Sequence, residues 1–206
     1  MCKRIRFIHS SFLFLFLLGA ASCTTTQLVS EYKDEAYKGR IQKILVVGVS
    51  DNLANRKLFE ETFARELNSE GVTATASSAV IPADQKVTKD TLKAKALELG
   101  TDTVLVAHLL GVDEEEVYTP PTMQRVPAAT SYGFGPYYTY VDNYVHYPGY
   151  YSQHVFVRLE TNLYETATEK LIWSVSSEIM DPDDVAEVVD SLCRAVLKNL
   201  NKNNLL

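Results

Sequence analysis

The side chain with the most definite chemistry is the thiol of Cys23, which follows Ala20-Ala21-Ser22 at the end of an apolar stretch. A thiol can carry a thioether, which no other residue type at that place offers. The chain has two further cysteines, Cys2 near its start and Cys193 inside a helical apolar pattern. With Cys2 lost in a leader and Cys23 modified, Cys193 has no partner for an intramolecular disulfide and reads as a small buried hydrophobe. The other reactive groups form no recognisable constellation. Gly48-Val49-Ser50-Asp51-Asn52 follows an apolar run, as a phosphate turn or nucleophile elbow would, but lacks both the glycine spacing and G-x-S-x-G. It reads as a strand-to-helix turn and cap. His108 shares strand parity with Val104 and Val106 and reads as a hydrogen-bonded structural histidine. Asp113-Glu114-Glu115-Glu116 reads as a solvated acidic edge; a metal site would require it to meet His146 and His154, which lie far along the chain. Trp173 reads as packing in a sheet face. No catalytic residue, metal or cofactor is expected.

The surroundings of Cys23 give its chemistry a setting. Lys3, Arg4 and Arg6 precede an apolar run from Phe12 to Ala21, and small residues lead to the cysteine. That order is the anatomy of an export signal. As helix, the run spans about 15 Å against a hydrocarbon core of about 30 Å, too short for a permanent span. Ala20-Ala21-Ser22-Cys23 resembles the lipobox of bacterial lipoproteins, with Ala20 where that group usually has Leu. The resemblance implies a lipid on Cys23, each buried methylene adding about 0.8 kcal/mol of membrane affinity. Thr24, in place of an Asp that would resemble an inner-membrane retention signal, implies the outer membrane, with the protein facing the periplasm. The alternative is ordinary cleavage leaving a free thiol.

Removing 22 of the 206 residues takes away three bases and no acids. The formal charge of the remainder is −9, from 17 bases and 26 acids, instead of −6. Such a polyanion is poorly suited to binding nucleic acid or an anionic bilayer surface through charge.

The elements that would position these residues follow from periodicity. Residues 24 to 40 are polar and without sustained period, which predicts a tether of up to about 58 Å. Ile44 to Val49 reads as a strand covered on both faces. Asn55 to Asn68 reads as a helix with Leu58, Phe59, Phe63 and Leu67 on its inner stripe. Val72 to Ile81 reads as a strand, Thr88 as the cap of a helix closing at Gly100, and Thr103 to Val112 as the next strand. From Val155 alternation is clean, and Thr166 to Lys170 turns it back into Leu171 to Ile179, a hairpin. Asp181-Pro182-Asp183-Asp184 announces a last helix, with Asp as cap and Pro at the first helical position. A six-residue tail, 201–206, closes the chain. The expectation is a single α/β (α+β) domain over 41–200 with a mixed sheet in the order β-α-β-α-β-β-β-α.

Several stretches resemble a known group. VFVRLETNLYETATEKLIWSVSSEI is similar to a strand-turn-strand of the curli secretion lipoprotein and of the lipoprotein activators of penicillin-binding proteins. ILVVGVSDN and TDTVLVAHLLGV are similar to their first and third strands. The resemblance implies a small α/β domain of the kind likened to the N-terminal domain of TolB and to anticodon-binding domains. It carries a fold, not a site.

Residues 117 to 153 stand apart: two charges, Arg125 and Asp142, and nine of the chain's 12 tyrosines. Five prolines and three glycines predict a long loop without regular structure. Tyrosine couples an apolar ring to a polar tip and suits wet interfaces, glycan stacking and bilayer boundaries. Tyr132, Phe134, Tyr137, Tyr138, Tyr140, Tyr144, Tyr147, Tyr150 and Tyr151 are the expected partner contacts, for an envelope protein, a glycan or a membrane; a tolerated low-complexity loop is the competing reading. Function is therefore expected to be a lipid-anchored, non-enzymatic binding or assembly module of the outer membrane, with oligomers allowed. A membrane-inserting secretion component related to the curli pore, or an enzyme with an unrecognised site, are the alternatives.

Overall fold

A computed structural model of the chain describes residues 26–82, 85, 87–126 and 143–206. In chain order its elements are β1 (Gln27–Lys33), β2 (Lys43–Val49), α1 (Leu53–Ser69), β3 (Thr73–Ala76), α2 (Ser77–Val80), α3 (Lys89–Leu99), β4 (Thr103–Thr119), β5 (Thr122–Val126), β6 (Asn143–Tyr147), β7 (Tyr150–Glu165), β8 (Leu171–Met180) and α4 (Val185–Lys202). Six strands form a mixed sheet in the order β1-β8-β7-β4-β2-β3, with β2 parallel to both β3 and β4 and the rest antiparallel. The expected α/β class and mixed sheet are present.

The continuous apolar run of β2 is explained by cover on both faces. Ile44 and Val46 face the main core, where Phe59, Phe63 and Leu67 of α1 and Leu192, Val196 and Leu200 of α4 meet the sheet. Leu45 and Val47 face Ala96 of α3 on the other side. Trp173 is fully buried in the sheet face, and its indole Nε1 donates to Asn199 Oδ1 at 3.0 Å. Cys193 is buried as expected, and burial pushes its thiol up to about 12. α3 begins at the expected Thr88 cap and ends on Gly100 in the left-handed region (φ 64°).

Four expectations are corrected. In place of a tether over 24 to 40, residues 27–33 form β1, an edge strand antiparallel to β8, and the preceding Thr26 is buried. Its N–H and its hydroxyl both donate to Ser191 Oγ, at 2.9 and 2.7 Å. The stretch 72–81 is strand only to Ala76, because the buried carboxylate of Glu60 draws in Ser77 Oγ (2.6 Å) and Ser78 N (2.6 Å) and turns the chain into α2. The last helix is capped by Asp184, not Asp181. Asp181 is committed elsewhere: it lies at φ 46°, and its carboxylate accepts from Val155 N at 2.8 Å and meets His154 Nδ1 at 2.5 Å. Finally, the described parts of 117–153 are largely strand, as follows.

Candidate functional site

β4 and β7 begin as ordinary inner strands. β2 pairs with β4 only as far as His108, and β8 pairs with β7 only from Phe156 onward. A bulge falls between Leu109 and Gly111, after which β4 and β7 keep one register from Gly111↔Arg158 to Thr119↔Tyr150. β5 and β6 pair from Thr122↔Tyr147 to Val126↔Asn143, which is the same register carried on. That register places Pro120 opposite Gly149 and Pro121 opposite Pro148. The residues that cannot serve a ladder therefore face one another in two adjacent rows, and pairing resumes beyond them. The result is a two-stranded ribbon leaving the sheet. From Glu114, the first residue past the rows shared with β8, to Val126 it is 13 residues, roughly 43 Å at about 3.3 Å per residue.

The ribbon carries its side chains outward. Met123 and Tyr151 are 71% and 68% exposed, and Val117, Tyr118, Val145, Tyr147 and Tyr150 are exposed as well. The rings of Tyr118 and Tyr151 meet at 4.9 Å. A Cβ on Gly149 would lie 2.6 Å from the Tyr118 hydroxyl, so only glycine lets that ring lie across the opposite strand. Of the expected contacts, Tyr147, Tyr150 and Tyr151 thus sit together on the ribbon and Tyr144 falls on β6. Tyr132, Phe134, Tyr137, Tyr138, Tyr140 and the lipidation candidate Cys23 lie outside the described residues. Tyr118 and Met123 were not among the expected contacts; the signal available for them was their alternation with polar neighbours beyond the acidic run.

At its base the ribbon is clamped by charge. The Arg158 guanidinium binds Asp113, Glu115 (2.6 Å) and Glu178 (2.7 Å), and lies over the ring of Phe156 at 5.6 Å. The acidic run is therefore part of β4 instead of its end, with Asp113 and Glu115 paired and Glu114 and Glu116 exposed. Opposite it, Ser152 Oγ lies 2.7 Å from His154 Nε2 while His154 Nδ1 lies 2.5 Å from Asp181. This is the order of a hydrolase relay, and an S-x-H spacing on one strand face was its only sequence signal. The three groups span β7 and the turn after β8 and tie the root of the ribbon to that turn. His108 lies 3.7 Å from Glu160 across the strands.

A cavity of about 310 Å³ opens where the ribbon leaves the helices, between the first turns of α1 and α4, walled by Phe59, Leu109, Val112, Val157, Val188 and Val189. It lies past the carboxyl ends of parallel β2 and its partner stretch of β4, on either side of which the chain winds to opposite faces, the place where open α/β sheets receive ligands. Gly48 at its floor is held close to α1, since a Cβ there would meet Phe59 Cδ1 at 3.0 Å. Among the described residues no group of three His, Cys, Asp or Glu is placed to hold a metal. No helix among them is long and apolar enough to cross a membrane.

No family model matches the chain, and no curated protein matches it. Solved structures with a similar outline include the PelC dodecamer from Paraburkholderia phytofirmans, at TM-score 0.47 and 12% identity over 84% of this chain and 95% of that one. Lipoprotein GNA1162 from Neisseria meningitidis gives TM-score 0.42 and 16% identity over 78% of this chain and 99% of that one. A putative neuraminyllactose-binding hemagglutinin homolog from Helicobacter pylori gives 0.33 and 13% over 84% and 94%.

Proposed function

We propose that the chain is a lipid-anchored, non-enzymatic binding or assembly module at the periplasmic face of a bacterial outer membrane, held by a lipid on Cys23 and docking through its ribbon. The observation that carries this reading is the ribbon itself: Glu114 to Val126, 13 residues of β4, β5 and the link between them, set against β6 and β7 beyond the last row paired with β2 or β8, and displaying tyrosines and aliphatic side chains outward. A segment that adds little to its own core is kept for what it touches. The lipobox-like Ala20-Ala21-Ser22-Cys23 and the short link from Cys23 to the buried Thr26 support the anchor.

Excision of residues 117–151, joining Glu116 to Ser152 by a short turn, tests the reading. The variant is expected to melt as the parent does and to lose envelope contacts that a photo-crosslinker at Tyr150 captures in the parent. An excised form that keeps every contact would remove the ribbon from the function. A second reading is favoured by the outer edges of so long a ribbon, which no other described strand pairs: copies pairing edge to edge in an oligomeric, membrane-inserting secretion component. A closed ring in mild detergent, measured as native mass, would support it over the module.

A further inference from the structure

The register of the sheet fixes where the ribbon points relative to the anchor. Gln27 pairs with Glu178, Glu178 with Arg158, and Arg158 with Gly111, so these four residues mark one row across β1, β8, β7 and β4. Each neighbouring pair is antiparallel. The chain therefore enters β1 from the same end of the sheet at which the ribbon leaves. Cys23 is four residues before Gln27 and lies at most about 14 Å from that row. The link hangs from a fixed point, because Thr26 is buried and bonded to Ser191. The row of Tyr118 and Tyr151 is seven residues beyond Gly111, roughly 23 Å, so the ribbon overtakes the anchor point.

We propose that the membrane itself is the surface on which the ribbon docks, with Tyr118, Tyr147, Tyr150, Tyr151 and Met123 at headgroup level in the leaflet that holds the lipid on Cys23. The proposal rests on the anchored-module reading and names its partner. Composition along the ribbon agrees with the geometry. Asp113 to Glu116 lie between the row and the tyrosines, on the side of the domain, where they stay in water. Beyond them, Val117 to Val126 and Asn143 to Gln153 carry a single formal charge, Arg125. Tyrosine rings with polar tips match the boundary between headgroups and acyl chains. The outer edges of β5 and β6 decide between lying in that boundary and crossing the core. Paired by no other described strand, their outward N–H and C=O groups are hydrated at the interface and heavily penalised in hydrocarbon, so a lone ribbon tilts into the headgroup layer instead of spanning.

The test uses the mature lipidated chain in vesicles of phosphatidylethanolamine with a minor fraction of phosphatidylglycerol, with and without bromine on the upper acyl chain. Trp173 is the sole tryptophan and fully buried, so it supplies a constant background. Tyr151→Trp and, separately, Tyr118→Trp place a reporter on the ribbon; Leu97→Trp places one on exposed α3 surface beside the opposite end of the sheet. Flotation is read first. If the protein floats, both ribbon reporters are expected to lose most of their added emission to bromine while Leu97→Trp keeps its own. Protein that floats with all three reporters unquenched overturns membrane docking and leaves the anchored module standing. Protein that does not float overturns the anchor and the docking with it. Quenching accompanied by release of a trapped dye means that copies cross the bilayer and overturns the interfacial placement.

Discussion

Glu60 has no solvent exposure, yet its carboxylate is the centre of the end of the domain nearest the cavity. Oε1 accepts from Gly48 N (3.0 Å), Arg56 Nε (3.0 Å) and Ser77 Oγ (2.6 Å), Oε2 accepts from Ser78 N (2.6 Å), and Arg56 in turn donates to Ser77 at 2.8 Å. A buried ion pair is a weak source of net stability, but breaking one leaves a desolvated charge behind. Glu60→Ala is therefore expected to cost about 3–5 kcal/mol in denaturant unfolding. Lys57→Ala removes an exposed partner of Glu61 one residue along the same helix and is expected to cost under about 0.5 kcal/mol. Similar losses for the two would deny Glu60 its organising role. Cys193 gives a second prediction at this scale. With its thiol pushed up to about 12 by burial, it is expected to resist a maleimide in the native protein at neutral pH and to react at the rate of unfolding once denaturant is added. Fast native labelling would contradict its placement.

β1 shows what an element can conceal. QLVSEYK contributes Leu28 to the core and little else in its pattern, and among the described residues its only partner strand is β8, far along the chain. An edge strand with one neighbour and one apolar anchor leaves no period to read. What fixes it is a chain of hydrogen bonds: Trp173 Nε1 donates to Asn199 Oδ1, Asn199 Nδ2 donates to Glu31 at 2.9 Å, and Asn203 Nδ2 donates to Glu31 at 2.7 Å. The bonds from Asn199 and Asn203 hold the Glu31 carboxyl below its ordinary value. A carboxylate lowered in the folded state stabilises above the usual carboxylate range, near 4, and that contribution is lost as pH falls through the lowered value. Amide exchange in β1 is expected to accelerate in that acid window before the central strands respond, and Glu31→Gln to abolish the step. A β1 as protected at low pH as at neutral would contradict this. The ribbon was hidden for a different reason. Pro120, Pro121, Pro148 and Gly149 read singly as breakers, and only the register shows that they face one another. By contrast, β2, α1, α3 and the β7–β8 hairpin were legible because each buries a face with a complete period. The tyrosines were legible as a set; their common ribbon and its direction depend on pairing that composition does not encode.

At the scale of the whole molecule, the replacement of a 17-residue tether by a folded strand changes how the domain would stand on a membrane under the proposed lipid anchor. Were residues 24 to 40 a free coil, the domain would average about 23 Å from its anchor and turn freely. With Thr26 bound to Ser191 of α4 and β1 closing the sheet, only Thr24 and Thr25 separate Cys23 from the folded body. Three peptide steps span at most about 11 Å. Neutron reflectometry of the lipidated protein on a supported bilayer is therefore expected to show protein density beginning at the headgroups with no intervening water layer. A Gly/Ser spacer of about 20 residues placed between Thr24 and Thr25 adds roughly 25 Å of mean reach without touching the Thr26 bonds. That variant is expected to melt with the parent, so any change in height belongs to the link and not to the fold. If the ribbon also holds the surface, the spacer variant stays in contact, and lifts away only when residues 117–151 are excised as well. A water gap beneath the parent protein would show that β1 does not tie the anchor to the sheet.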